Sequence, residues 1–130
     1  MHNKTGLDEI TYVYICHPYA SDPKGNRDAV RRICDDILAA SRENYSRWGT
    51  FVVPYAAHCL FPELDNELPL ERKVALAAGL RLLKICDRML VYAEDNIVSN
   101  GMQLELQMCS QYEIPISFMD RSREFSIDDF

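Results

Sequence analysis

Apolar residues along this chain switch between two spacings, and that alternation predicts the architecture. Ile10-Thr11-Tyr12-Val13-Tyr14-Ile15-Cys16 is β-branched and aromatic, which suits a strand. Two prolines and a glycine make 17–25 a loop. Asn26 is then placed to cap a helix in which Val30, Ile33, Cys34, Ile37 and Leu38 form one apolar stripe. The helical pattern fades over 44–49. Thr50-Phe51-Val52-Val53 reads as a short strand stopped by Pro54, and 55–69 as irregular chain with several acids. Residues 70–86 form a long helix with Val74, Ala77, Ala78, Leu82 and Ile85 inward. A third strand over 88–92, a loop ending in Ser99-Asn100-Gly101, a third helix and a fourth strand over 114–119 complete the pattern.

Strands separated by helices, with no hairpin signal between them, imply right-handed βαβ units. The expected fold is therefore a three-layer, Rossmann-like (flavodoxin-like) α/β domain with a parallel sheet of four or five strands. One domain spans 1–130, with its core at about 10–119 and a polar tail over 120–130. In such a sheet the loops after strands one, two and three share one edge. Those loops, 17–27, 55–69 and 93–100, hold most of the unusual side-chain chemistry, and ligands bind at that edge of open α/β sheets.

The third helix contains an anomaly. With Asn100 as its cap, about 100° per residue gathers Gln103, Gln107, Ser110 and Gln111 on one face. The opposite face carries Met102, Leu106, Cys109 and Tyr112, with Glu105 near its centre. A glutamate directed into a protein is costly unless it is paired, protonated or used. The alternative is that Glu105 reaches solvent or meets an arginine at a subunit contact.

Composition narrows the class without naming the chemistry. The net charge of −6 and pI near 5 come with dispersed Lys and Arg, which argues against a nucleic-acid binder. Five cysteines, with no CxxC pair, fit small buried hydrophobes in a reducing cytoplasm. The opening MHNKTGLDEI has no apolar signal region and no run approaches a membrane span, so a soluble cytoplasmic protein is expected.

Tyr14-Ile15-Cys16-His17-Pro18-Tyr19 after the first strand, Ile85-Cys86-Asp87 before the third, and Ser99-x-Gly101-Met102-x-x-Glu105 together resemble the nucleoside 2-deoxyribosyltransferase superfamily. The likeness spans about 10–119 and is greatest to small, largely uncharacterised members, many of them bacterial or phage-encoded. It implies an enzyme that cleaves or transfers the N-glycosidic bond of a small-molecule nucleoside or nucleotide. Glu105 would be the nucleophile that forms a covalent glycosyl-enzyme, with Tyr14 holding it. Ser99, Gly101 and Met102 would contact phosphate or ribose, since a helix N-terminus offers free N–H groups to an anion. His17, Tyr19 and His58 would line the base side. The Gly101-to-Glu105 spacing fits the deoxynucleoside 5′-monophosphate N-glycosidase branch. No cofactor or metal is implied. The family often completes its site across a subunit contact, so a homodimer or higher homo-oligomer is expected, with Leu104 and Met108 as an apolar flank.

Two departures accompany the likeness. The position matching a family aspartate is Gly79, and His17-Pro18-Tyr19-Ala20 replaces a glycine-rich, arginine-bearing phosphate loop. Asp95 is then the leading replacement acid, followed by His58, whose ordinary pKa suits proton transfer near neutrality. Asp87, at the entering end of its strand, is read as structural. Cys16-His17 and His58-Cys59 raise a zinc site as an alternative, although neighbours on a strand point oppositely. A non-catalytic nucleotide-binding module is the other functional reading, and a plain scaffold the simplest.

Overall fold

The computed structural model describes residues 9–19, 21–60, 67–93 and 97–130, apart from the side chain of His58. The elements are β1 (Ile10–Cys16), α1 (Pro23–Trp48), β2 (Phe51–Tyr55), α2 (Ala57–Leu60), α3 (Pro69–Lys84), β3 (Arg88–Val91), α4 (Asn100–Tyr112) and β4 (Ile116–Phe118). Four strands form one sheet in the order β2-β1-β3-β4, and every pairing is parallel. Helices cover both faces, as the alternating pattern requires. The strand order reverses between β1 and β3, which places the topological switch point at their carboxyl ends, where Cys16 pairs with Val91.

Alternation along β1 divides the interior in two. Val13 and Ile15 face α1 and pack with Val30, Ile37, Val52 and Leu90. Tyr14 and Cys16 face the other way and pack with Leu83 from α3, Met102 and Cys109 from α4, and Met89 and Val91 from β3. The first interior is mostly apolar, with the buried Ser41 hydroxyl paired to the backbone of β2. The second contains hydroxyl, thiol and carboxyl groups.

Several boundaries differ from the sequence pattern for local reasons. The first helix begins at Pro23, before the expected Asn26 cap, because Asp22 accepts the Gly25 N–H at 3.2 Å and proline fits the first helical turn. Asn26 instead donates from Nδ2 to the Tyr19 carbonyl at 3.1 Å, fastening the loop after β1 to α1. The helix stops where Gly49 adopts φ +74°, a conformation costly for any residue with a Cβ. Pro54 does not end β2, which runs to Tyr55. It is an edge strand, where a missing N–H is tolerated. The stretch read as irregular contains the short α2.

In α3 Leu82 packs on the core as expected, but the inward face is otherwise shifted. Val74 is 48% exposed and Ile85 64%, while Gly79 and Leu83 are buried. The helix is weakly amphipathic, so hydrophobic periodicity does not select its face, and close approach at a glycine does. α4 starts one residue earlier than expected, with Ser99 rather than Asn100 as its cap. Asp87 behaves structurally: its Oδ2 accepts the Tyr12 N–H at 2.8 Å, and its own N–H returns to the Tyr12 carbonyl at 2.8 Å.

The tail over 120–130 is polar in composition, yet Phe125, Ile127 and Phe130 pack on the α1-side core. Phe125 meets Trp48 edge-on at 5.9 Å, and the Arg88 guanidinium lies 5.1 Å from the Phe130 ring centre. No helix among the described residues is long and apolar enough to cross a membrane.

Ser41 closes the open side of β2. Its buried hydroxyl donates to the Val52 carbonyl at 3.0 Å and accepts the Val52 N–H at 3.1 Å. Ser41→Ala leaves two buried backbone groups without that partner and is expected to lose about 2–3 kcal/mol in urea unfolding. A loss under about 0.5 kcal/mol would contradict this role for the hydroxyl.

Candidate active site

Glu105 sits in the second turn of α4, 8% exposed, against the face of β1 that carries Tyr14 and Cys16. Three local features bring it there. The Ser99 side chain accepts the Met102 N–H at 3.3 Å and fixes the start of the helix. Met102 and Cys109, each 1% exposed, turn the same face toward the sheet. The periodic reading of the helix holds for these three residues, whereas Tyr112 is largely exposed, with the Lys84 ammonium 4.5 Å from its ring centre.

The carboxyl is received by two donors. The Tyr14 hydroxyl and the Cys16 thiol lie close enough to Glu105 to favour its ionised form. They stand two residues apart on one strand and so project from the same face. Burial raises the Glu105 pKa to about 7, and Tyr14 and then Cys16 partly oppose that rise. Burial also raises the Tyr14 and Cys16 pKa values, reinforced by the Glu105 charge, so both remain protonated donors near neutrality. The site thus holds a carboxyl poised between its two forms at physiological pH, facing two protonated groups that can donate to its ionised form.

Gly79 completes this arrangement from α3. A Cβ built there would lie 3.1 Å from the Tyr14 hydroxyl and 3.4 Å from the Ala57 Cβ. The glycine therefore lets the hydroxyl approach α3 closely, and a side chain at that position would push against it.

The remaining sequence candidates divide by face. Ser99 is exposed at the start of α4, and among the described residues an added Cβ at Gly101 meets nothing within 4 Å, so that first turn is open. Met102 packs in the core beside Tyr14 rather than at a polar surface. His17 is not brought together with Glu105. It is buried on the α1 side, its ring 6.5 Å from that of Tyr92. The Arg121 guanidinium donates to His17 Nε2, which leaves Nδ1–H to donate to the Pro18 carbonyl at 2.8 Å and makes the ring neutral. Tyr19 is half-buried in the loop between β1 and α1, its carbonyl held by Asn26. His58 lies in α2, with its side chain outside the described residues, and Asp95 lies outside them altogether.

Cys16 was missed by sequence reasoning as a partner of Glu105. The available signal was its two-residue spacing from Tyr14 on a strand. Cys16 and His17 turn to opposite sides of the sheet. Among the described residues no cluster of three or more His, Cys, Asp or Glu could hold a metal. A cleft of about 310 Å³ opens between α1 and the tail, lined in part by Arg32, Asp36, Tyr92, Arg121 and Arg123. It lies across the sheet from Glu105.

Comparison with known proteins adds three findings. A family profile described as a domain of unknown function (DUF7768) matches residues 11–119. No curated protein matches the sequence. Among solved structures, a 2-deoxyribosyltransferase from the psychrotolerant bacterium Bacillus psychrosaccharolyticus superposes with a TM-score of 0.56 at 14% identity, covering 83% of this chain and 71% of that one. That protein is described as a biocatalyst for nucleoside synthesis. The likeness establishes a shared α/β fold.

The raised pKa has a consequence for stability. Below about pH 4.5 Glu105 is protonated folded or unfolded, so its environment costs nothing extra. As pH rises through about 7 the unfolded chain ionises first, and the native state loses up to about 3 kcal/mol. Glu105→Gln removes this titration. Its stability relative to wild type is therefore expected to be about 3 kcal/mol greater near pH 8 than near pH 4, read by denaturant unfolding. An equal difference at both pH values would contradict the burial of an ionisable carboxyl.

Proposed function

We propose a function for this chain as a member of the domain family of unknown function DUF7768, to which it belongs by a match over most of its length: cleavage or transfer of the N-glycosidic bond of a nucleoside or nucleotide, with Glu105 as nucleophile. The observation that carries this reading is the buried Glu105 carboxyl, close to Tyr14 and Cys16, beside the switch point of a fold shared with a 2-deoxyribosyltransferase.

The chemistry follows from the carboxyl and its setting. An ionised Glu105 oxygen attacks the anomeric carbon as the bond to the base nitrogen breaks, and the departing base takes that electron pair and a proton. Charge on the carboxylate stabilises the oxocarbenium-like transition state, and burial raises its effect by excluding water. The sugar is left as an ester on Glu105. Water or a second base then attacks the same carbon and restores the carboxylate. Tyr14, kept protonated, holds one carboxylate oxygen while the other reacts.

Ser99 and Gly101, at the open first turn of α4, are suited to a 5′-phosphate or ribose oxygen. Tyr19, in the loop after β1, and His58, in α2, are proposed to frame the base, while the buried His17 supports that loop from the α1 side. With no side chain at Gly79, the proton for the leaving base comes from Asp95, His58 or solvent. Leu104, 40% exposed beside the site, gives a second copy of the chain an apolar contact. The absence of a carboxylate at Gly79 also favours one competing reading, a nucleotide-binding module that lacks turnover.

Purified protein incubated with deoxynucleosides and their monophosphates is expected to release free base, followed by chromatography. Glu105→Gln should reduce that release by at least about a thousandfold while retaining ligand. The wild-type rate should rise with pH to a plateau above about 7, because the nucleophile must be ionised. Dependence on an added base would identify a transferase, and release into water alone a hydrolase. Ligand binding without release from any substrate would replace this reading with the binding module.

A further inference from the structure

The cleft between α1 and the tail takes no part in the glycosidic reading. Its volume of about 310 Å³ is at the small end of ligand pockets, with room for about ten water-sized groups. Ala29, Arg32, Ile33 and Asp36 line it from one stripe of α1, spaced i, i+3, i+4 and i+7. The tail supplies the facing wall, including Phe125, and Tyr92 joins the lining from just beyond the end of β3.

Tyr92 points to a ligand. It is 5% exposed, yet among the described residues its hydroxyl makes no hydrogen bond. A buried hydroxyl without a partner is costly, and the space this one lines is the cleft. Burial first, then Cys34, Asp129 and Asp36, push its ionisation well up, so the hydroxyl stays a donor.

The charged groups of the lining divide in two. Several are already engaged: Arg121 donates to His17, Arg123 meets Asp129 at 3.6 Å, and Asp120 accepts from the Ser122 hydroxyl at 2.7 Å. Arg32 and Asp36 are not. They stand one turn apart on α1, and among the described residues neither side chain forms a hydrogen bond or ion pair. Glu124, across the cleft, is likewise unengaged.

We propose that this cleft binds a free apolar amino acid as its zwitterion. The carboxylate accepts from the Tyr92 hydroxyl and the Arg32 guanidinium, and the ammonium donates to Asp36 and Glu124. The side chain rests against Met119 and Phe125. The mixed lining selects both charges. A simple anion would gain Arg32 but face two carboxylates, and a simple amine would leave Arg32 and Tyr92 unanswered. The volume sets the upper size near that of leucine or phenylalanine. The site stands whether or not Glu105 is a nucleophile.

Isothermal titration calorimetry of the full chain with L-leucine and L-phenylalanine tests this. At least one should bind with a Kd of about 1 mM or tighter. The amide of that amino acid lacks the carboxylate and its des-amino acid lacks the ammonium, and each should bind at least about tenfold more weakly. Tyr92→Phe removes only the hydroxyl and should weaken binding about ten- to a hundredfold, as should Arg32→Gln at an exposed position. Absence of binding by both amino acids at about 20 mM overturns the proposal, as does equal affinity for the des-amino acid or undiminished affinity in either variant. The ligand-free protein gives a second reading. A hydroxyl without a partner adds nothing to stability, so Tyr92→Phe should unfold at the wild-type urea concentration or above it. A lower midpoint would mean that the hydroxyl is already satisfied, and the site would fall.

Discussion

Holding one carboxyl group away from water is the constraint around which this domain is arranged. Glu105 would be destabilising in an apolar wall, and its environment offsets that cost only in part, leaving a pKa of about 7. The compensation comes from a central strand, since β1 presents a hydroxyl and a thiol on the face that α4 covers. Each element around it serves that contact. Ser99 sets the phase of α4, Met102 and Cys109 seat the helix, and Gly79 lets Tyr14 close against α3.

The two faces of the sheet divide the work. On the α1 side, apolar side chains from β1, β2 and β3 pack under a long helix and a returning tail, with Ser41 satisfying the edge of β2. Arg121, from that tail, reaches His17 at the end of β1 and holds its ring neutral. On the α3–α4 side, polar groups are admitted into the interior, and most of them converge on Glu105. A mostly apolar half therefore lies against a half that holds the buried carboxyl, and β1 belongs to both.

Much of this arrangement was legible in the chain because it depends on short-range patterns. The strand–helix alternation gave the parallel α/β sheet, and the periodicity of 100–112 placed Glu105 on the buried face together with Met102 and Cys109. Other features depend on contacts that sequence spacing does not encode. The face of α3 is chosen by Gly79 meeting Tyr14, so Val74 and Ile85 point outward despite being apolar. His17 follows Cys16 directly and turns to the opposite side for that reason, which removes it from Glu105. The pairing of Cys16 with Glu105 joins a strand to a helix far along the chain, and only the fold reveals it.

The central claim, that Glu105 attacks the sugar, is tested most directly by the mass of the protein itself. Wild-type protein mixed with a deoxynucleoside panel, quenched in acid and digested, should carry one added deoxyribosyl group on the peptide containing Glu105. Glu105→Gln treated identically should carry none. An adduct on another residue, or base release with no adduct at any time after mixing, would contradict the glutamate nucleophile.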